Sequence, residues 1–370
     1  MVAFFQKCVL TAGFLLAVAF PPVPAKAEAE AAAAPPTGYD SSSAVVFAYG
    51  QIGEDDAPAS SLRLEQFTAH IHELVEDAYT VKPLPEILQA VTSGKPLPGK
   101  TVALTFDGAD ASFLRYAAGL LEERRLPYTL FIPAGQIGEE TGRTVGWKDL
   151  RRLQKTGLAT IGLHTASYAH LAQASEEELK RQINTARALY RENLGTEPLF
   201  FAYPFGEFSP VFKEIVRAQG FAAAFGQHSG VVHASDDLFA LPRFTMSENY
   251  GSLERFQMTA RALPLPVSDL QPAAPLVQSA APAIGFTVDE ALAPSLKSLS
   301  CFVSGQEKPD IELLDEGRVE VRLKEPLTQE RTRMNCTLPG PADTQDALPR
   351  WRWLGMLLLP PGDAIPAAPR

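Results

Sequence analysis

The stretch TVALTFDGAD, residues 101–110, decides the architecture of the chain. Its apolar run, Val102–Phe106, passes directly into Asp107 and Gly108, which predicts a buried strand that ends in a turn. Where such strands alternate with helices, the sheet is parallel, and polar groups collect at the carboxyl ends of its strands. Asp107 is therefore a candidate general base or metal ligand, and the plainer alternative is that it caps a helix near Ser112.

Apolar runs also alternate with helical patterns on both sides of this strand. Helical patterns occupy residues 112–125 and 209–219, and Ser175 and Glu178 form a capping box for a third helix that Gly195 ends. The further apolar runs are Val45–Tyr49, Tyr128–Ile132, Thr160–Leu163, Leu199–Tyr203 and Phe221–Phe225. Strands that alternate with helices in this way predict an α/β fold, either a barrel or a layered sheet.

Composition narrows the class of protein. Hydrophobic residues make up 46% of the 370 residues and charged residues 21%, which is sufficient for a sizeable core and excludes a wholly disordered chain. The formal net charge is -10. An acidic chain without a basic cluster is a poor match for a phosphate backbone, so we expect no nucleic-acid partner.

The N-terminus has the pattern of a secretory signal peptide. Lys7 precedes an apolar run from Val9 to Phe20, and Ala25-Lys26-Ala27 resembles a cleavage site. The apolar run is short for a membrane span, although an uncleaved anchor is the alternative. We therefore expect a secreted or periplasmic protein with no stable membrane span after cleavage.

Changes in composition divide the rest of the chain. The α/β pattern ends near residue 263, and later segments alternate in the manner of half-buried strands, as Val319 and Val321 do with Glu320. Trp351 and Trp353 alternate similarly with arginines. The predicted parts are 1–27 signal peptide, 28–43 linker, 44–263 α/β domain, 264–283 Pro/Ala-rich linker, 284–359 small β domain and 360–370 tail.

Two cysteines remain once the signal peptide is removed. Cys301 and Cys336 are an even pair in a chain expected to be exported, which favours a disulfide. The spacing of the two residues leaves the alternative of two buried free thiols open.

Polar or aromatic side chains also follow two further predicted strands. His164 follows one apolar run, and His170 lies six residues on, within reach of a folded loop. Neutral imidazoles are common ligands of transition metals. At the other strand end, Tyr203-Pro204-Phe205-Gly206 suits a rigid wall for a sugar ring, or it is simply a strand followed by a turn. None of the three strand ends alone identifies a reaction.

Taken in order, these motifs resemble those of the NodB-homology polysaccharide deacetylases, carbohydrate esterase family 4. The resemblance rests on Thr105-Phe106-Asp107, His164-Thr165 and Ala202-Tyr203-Pro204-Phe205-Gly206 across roughly residues 44–260, and Leu241-Pro242-Arg243-Phe244 matches near the end. It implies a distorted (β/α) barrel over residues 44–263, followed by the small C-terminal β domain.

The resemblance also implies an activity. Members hydrolyse the acetamide of N-acetylglucosamine units in a polysaccharide or oligosaccharide, using a water activated by a divalent metal, usually zinc. Asp107 matches the catalytic base, His164 the first metal histidine and Tyr203 the oxyanion position, with Pro204, Phe205 and Gly206 beside the substrate.

The chain departs from the family pattern at the metal ligands. Gly108 stands where a second aspartate is usual, Tyr168 where the second histidine is usual, and Gly50 where many members have another histidine. A shifted metal site made of Asp110, His164 and His170 would restore one carboxylate and two imidazoles. The alternative is a catalytically silent relative that binds glycan without hydrolysis.

Overall fold

A nine-stranded sheet forms the framework of the first two thirds of the chain. The computed structural model describes residues 34, 36–54, 56–138, 142–342 and 349–361, so the predicted signal peptide lies outside the described residues. The nineteen described strands are β1 Ala44–Tyr49, β2 Gln51–Ile52, β3 Ser61–Leu62, β4 Thr80–Val81, β5 Thr101–Asp107, β6 Tyr128–Ile132, β7 Ala159–Leu163, β8 Phe200–Ala202, β9 Ala223–Phe225, β10 Val231–Val232, β11 Phe244–Met246, β12 Leu263–Pro264, β13 Val267–Gln271, β14 Ile284–Val288, β15 Ser300–Val303, β16 Asp310–Leu313, β17 Arg318–Arg322, β18 Thr332–Ala342 and β19 Pro349–Leu358.

The sheet is curled into a distorted barrel, as the sequence predicts. Its order is β10-β1-β5-β6-β7-β8-β9, with β11 beside β1 and β4 beside β5. The pairs from β1 through β9 are parallel, and only β10 runs antiparallel to β1. The α-helices of the described chain are α1 Leu64–Glu76, α2 Leu84–Thr92, α3 Ala118–Glu123, α4 Trp147–Lys155, α5 Glu176–Leu194, α6 Pro210–Ala218 and α7 Leu253–Ala260.

Local signals fix several helix ends. The Ser175 side chain accepts a hydrogen bond from the Glu178 N–H at the start of α5, and Gly195 ends that helix with a left-handed φ of 70°. The predicted helix over 112–125 differs from the structure. It begins as a π-helical turn at Phe113–Ala117, and Ser112 accepts a hydrogen bond from the Ile52 N–H instead of capping the helix.

The carboxyl ends of the parallel strands form one edge, and this edge positions the site. Asp107 is the last residue of β5, while His164 directly follows β7 and Tyr203 directly follows β8. The register places Asp107 opposite Phe131 of β6 and Leu163 of β7 opposite Phe201 of β8. Residues that are far apart in sequence therefore meet here.

The C-terminal region consists of two four-stranded sheets, in the orders β12-β19-β18-β15 and β13-β14-β17-β16. Val319 and Val321 of β17 are buried as the alternation predicts. The Pro/Ala-rich segment 264–283 was expected to be a linker, yet it supplies β13 to the second sheet. Its Val267 and Leu270 pack on the apolar core of the small β domain, which holds the segment in place.

The two sheets of this region pack directly on the barrel. Within β19, Arg352 rather than the tryptophans is fully buried, because its guanidinium bonds both carboxylate oxygens of Asp40 at 2.7 and 2.8 Å. Trp353 packs edge-on against Phe244 of β11, with ring centroids 5.2 Å apart. No helix in the described ranges has the length and apolar character needed to cross a membrane.

Cys301 on β15 lies opposite Cys336 on β18, and the two are joined by a disulfide, which confirms the pairing that the cysteine count favours. The bond closes a loop with a sequence separation of 35. Replacing both cysteines by alanine should lower the free energy of unfolding by about 4 kcal/mol in the chain-entropy model. Denaturant unfolding of the oxidised protein and of the double variant measures this difference. Equal midpoints, or free thiols detected in the unreduced wild type, would contradict it.

Candidate active site

The centre of the site is an ion pair between Asp107 and Arg243. The two terminal guanidinium nitrogens each donate to one carboxylate oxygen at 2.7 Å, and both side chains are buried. Arg243 Nε donates to the Gly226 carbonyl at 2.9 Å, and Gln227 adds a hydrogen bond to Asp107 at 3.0 Å. Burial raises the pKa of Asp107, but Arg243 and His164 outweigh burial and hold that pKa below its ordinary value. Asp107 is thus a carboxylate at neutral pH.

His164 stands beside this carboxylate as a neutral imidazole. Its Nδ1–H donates to the Ala202 carbonyl at 2.6 Å, which assigns the other nitrogen, Nε2, as an acceptor. Nε2 lies 3.9 Å from Asp107 Oδ1 and has no hydrogen-bond partner. Burial lowers the pKa of His164 to about 4, although Asp107 opposes this shift. The structure therefore brings together the predicted base and the predicted first metal histidine.

Three rings form a wall next to His164. The rings of His170 and Phe205 stack with centroids 4.1 Å apart and an interplanar angle of 7°. Tyr168 contacts Phe205 at 4.5 Å and meets His164 edge-on at 4.8 Å. Phe205 has a left-handed φ of 56°, and at Gly206 a side chain would collide with the backbone of Gln227. Phe205 of the expected wall thus packs with two rings, Tyr168 and His170, that the sequence did not assign to it.

The C-terminal domain contributes an arginine to the same place. Arg331, just before β18, donates to Glu207 at 3.1 Å and to Gln227 at 3.1 Å. Glu207 also bonds His170 at 2.7 Å, so one carboxylate connects Arg331 to the aromatic wall. Burial lowers the pKa of Arg331 to about 10, which still leaves it a cation at neutral pH.

Tyr203 does not face the cleft. Its hydroxyl donates to the Phe239 carbonyl at 3.0 Å, and its backbone N–H donates to the Phe225 carbonyl at 3.0 Å. Its ring stacks on Phe208, with centroids 4.6 Å apart, inside the barrel core. The backbone N–H of Tyr203, the residue expected at the oxyanion position, therefore bonds another strand, while Pro204 next to it holds the turn that presents Phe205.

The three residues of the shifted metal site are not brought together. Asp110 accepts hydrogen bonds from Gln51 at 3.1 Å and from the Ser112 N–H at 2.8 Å. His170 is exposed and bonded to Glu207, whereas His164 is buried beside Asp107. Across the described ranges, no group of three His, Cys, Asp or Glu side chains is placed to hold a metal ion.

The residues present do not fit the divalent metal that the family generally uses. Gly108 offers no ligand atom, and the ring of Tyr168 occupies the neighbourhood of His164. Both oxygens of Asp107 accept hydrogen bonds from Arg243, so neither is left without a partner. At Gly50, a side chain would collide with the backbone of Ser60, so a third histidine is excluded there as well.

Sequence reasoning missed the partners of the predicted residues. Arg243 stands in the Leu-Pro-Arg-Phe motif that contributed to the resemblance, but no role was expected for it. Gln227, Glu207 and Arg331 had no local signal, because their importance comes from contacts across 104 and 124 residues of sequence. Only the motif around Arg243 offered a signal that could have found any of them.

The parallel-stranded α/β barrel thus presents a carboxylate, an imidazole and an aromatic wall at its carboxyl edge. Residues 94–224 match the family model described as polysaccharide deacetylase. This match confirms the resemblance to polysaccharide deacetylases noted in the motifs.

Similar proteins support the assignment. A poly-beta-1,6-N-acetyl-D-glucosamine N-deacetylase of Staphylococcus aureus (strain MSSA476) is 24% identical over 200 residues, covering 51% of this chain and 69% of that protein. The protein of the same name from Escherichia coli (strain K12) is 25% identical over 237 residues, covering 53% of this chain and 35% of that protein.

Solved structures give the same fold. IcaB from Ammonifex degensii superposes with a TM-score of 0.54 at 25% identity, covering 60% of this chain and 97% of that chain. The Streptococcus pyogenes deacetylase PplD, solved in complex with acetate, has a TM-score of 0.54 at 19% identity, covering 59% and 98%, and shows the fold alone.

We expect the wild-type protein to hold well under one zinc per chain after incubation with zinc and dialysis. The variant Gly108→Asp with Tyr168→His should hold about one, since the introduced carboxylate and imidazole join His164 in a three-ligand set. The backbone φ of 90° at Gly108 adds about 1–2 kcal/mol of strain to any side chain there, but the space is open. Elemental analysis of the folded proteins measures both contents.

The matched control is Gly108→Asn with Tyr168→His, which lacks the carboxylate and should bind zinc more weakly. One zinc per wild-type chain that disappears in His164→Ala would show that the interpretation of the ligand set is wrong.

Proposed function

We propose that the protein is an exported deacetylase that hydrolyses acetamide groups of an N-acetylglucosamine polysaccharide. The observation that carries this proposal is the pairing of Asp107 with a neutral His164 at the carboxyl edge of the barrel. The substrate class follows from the names of the similar proteins, which act on poly-beta-1,6-N-acetyl-D-glucosamine. Export is supported by the signal-like N-terminus and by the disulfide, since disulfides persist in oxidising compartments.

His164 supplies the base in this proposal. Its free Nε2 takes a proton from a water whose oxygen attacks the acetamide carbonyl carbon. Asp107, whose Oδ1 lies 3.9 Å from Nε2, stabilises the imidazolium that forms through its negative charge. The C–N bond then breaks, the proton passes from Nε2 to the leaving nitrogen, and acetate and a free amine result. These reaction steps do not use the metal-activated water expected from the family, because Asp110, His164 and His170 are not placed to bind one metal ion together.

The remaining residues bind and orient the substrate. Phe205, Tyr168 and His170 provide ring faces against which a sugar ring packs. Arg331 adds a positive charge near Tyr168, which favours the negative charge that develops on the carbonyl oxygen. Glu207 holds Arg331 and His170 in place through its two oxygens.

A second candidate function is glycan binding without hydrolysis. The observation that favours it is the edge-on contact of Tyr168 with His164, which covers the imidazole, together with the loss of two expected metal ligands. In this alternative, the aromatic wall keeps its role and the Asp107–Arg243 pair is purely structural.

Acetate release from N-acetylglucosamine oligomers separates the two functions. We expect release by the wild type and a loss of at least about 100-fold in His164→Ala, since general base catalysis contributes roughly that much or more. Because the pKa of His164 is lowered to about 4, kcat/KM should stay level from pH 8 to pH 5 and fall only as the imidazole protonates near pH 4.

The matched control is His72→Ala, which removes an exposed histidine of α1 and should leave the rate unchanged. A wild type that binds the oligomers but releases no acetate would replace the deacetylase proposal with the glycan-binding one. An acidic limb near pH 6.5 would contradict the role of His164 as the base.

A further inference from the structure

A polar cavity lies between the barrel and the C-terminal domain, separate from the Asp107 cleft. It has a volume of about 190 Å³. Both parts of the chain contribute to it: Thr245, Tyr250 and Arg255 from the barrel, and Phe302, Arg333 and Asn335 from the small β domain. The side chains that line it include no Asp or Glu.

Two cations lie over the same tyrosine ring in this cavity. The guanidinium carbons of Arg255 and Arg333 lie 5.3 and 5.5 Å from the centroid of the Tyr250 ring. Neither arginine has an ion-pair partner among the described residues. Burial lowers the pKa of both guanidinium groups, and Arg333 lowers that of Arg255 further. Two half-buried cations without a counter-ion are unfavourable unless an anion completes the arrangement.

Unpartnered polar atoms support the same conclusion. Arg255 Nη1 and Thr245 Oγ1 are both buried and have no hydrogen-bond partner. Both residues line the same cavity. Buried donors of this kind are rare in folded proteins, and each is a ready contact for a ligand oxygen.

The cavity and the active site are close along two stretches of the chain. Thr245 is two residues beyond Arg243, which directly precedes β11, so their Cα atoms are about 7 Å apart. Arg333 is likewise two residues beyond Arg331 on the segment that enters β18. Burial and the charge of Arg333 both lower the pKa of Arg331, so the cavity lies close to the arginine that contacts Glu207 at the cleft.

We propose that this cavity is a subsite for a carboxylate group carried by a sugar residue of the glycan. A planar carboxylate matches the paired donors of a guanidinium. Phe302 is 53% exposed at the cavity, where it offers a ring face for the sugar that carries the carboxylate. The assignment of a sugar carrier rests on the proposed function, whereas the anion site itself rests on the two arginines.

Calorimetric titration of the mature full-length protein tests this inference. The probes are a tetrasaccharide of alternating N-acetylglucosamine and glucuronic acid, the neutral N-acetylglucosamine tetramer and inorganic phosphate. We expect the uronate probe to bind at least tenfold more tightly than the neutral one. Arg255→Gln and Arg333→Gln should each remove most of that tenfold difference, and added salt should reduce it.

The control variant is Arg322→Gln, an exposed arginine of β17 that should leave both affinities unchanged. Melting temperatures of the cavity variants that equal or exceed the wild type would show that their affinity losses are not unfolding. Equal affinity for charged and neutral tetramers would overturn the proposal, and so would tighter binding of phosphate than of the uronate probe. Acetate release is measured separately, so a preference for uronate that survives without any acetate release leaves the subsite standing while the deacetylase proposal fails.

Discussion

The buried ion pair between Asp107 and Arg243 is the interaction on which the rest of the site depends. Arg243 bonds both oxygens of Asp107, and its third nitrogen bonds the Gly226 carbonyl. One side chain therefore connects the end of β5, the turn after β9 and the entry to β11. Removing one partner of such a pair leaves an uncompensated buried charge, which costs about 3–5 kcal/mol. This contact therefore links three segments at the carboxyl edge of the barrel.

The same pair sets the electrostatics around it. Because Asp107 stays ionised, it favours a positive charge on His164, while burial favours the neutral imidazole and prevails. The hydrogen bond from Nδ1 to the Ala202 carbonyl then fixes which nitrogen accepts a proton. A residue that sequence patterns would assign as a metal ligand thus has the protonation state and the free lone pair of a base. The burial and hydrogen bonding of His164, rather than its residue type alone, determine its protonation state.

Much of the fold could be predicted from the sequence because its signals are local. Apolar runs marked the strands, Ser175 and Gly195 marked a helix, and strand ends located Asp107 and His164. The detailed site could not be predicted, because it depends on which distant groups meet. Proximity in sequence suggested that His170 joins His164, yet Glu207 bonds His170 instead. The contribution of Arg331 requires the docking of a second domain, which no local pattern records.

The docking of that domain also adds a second guanidinium group to the edge of the cleft. A segment entering β18 places Arg331 against Glu207 and Gln227, so the edge of the cleft already contains two guanidinium groups, Arg243 and Arg331. A divalent metal placed beside them would meet repulsion that only several anionic ligands could offset. Gly108 and Tyr168 remove two of those expected ligands and add no charge. Arg243 and Arg331 therefore supply the positive charge at this end of the barrel. Gly108 and Tyr168 are consistent with this, because neither adds a negative charge that would attract a metal ion.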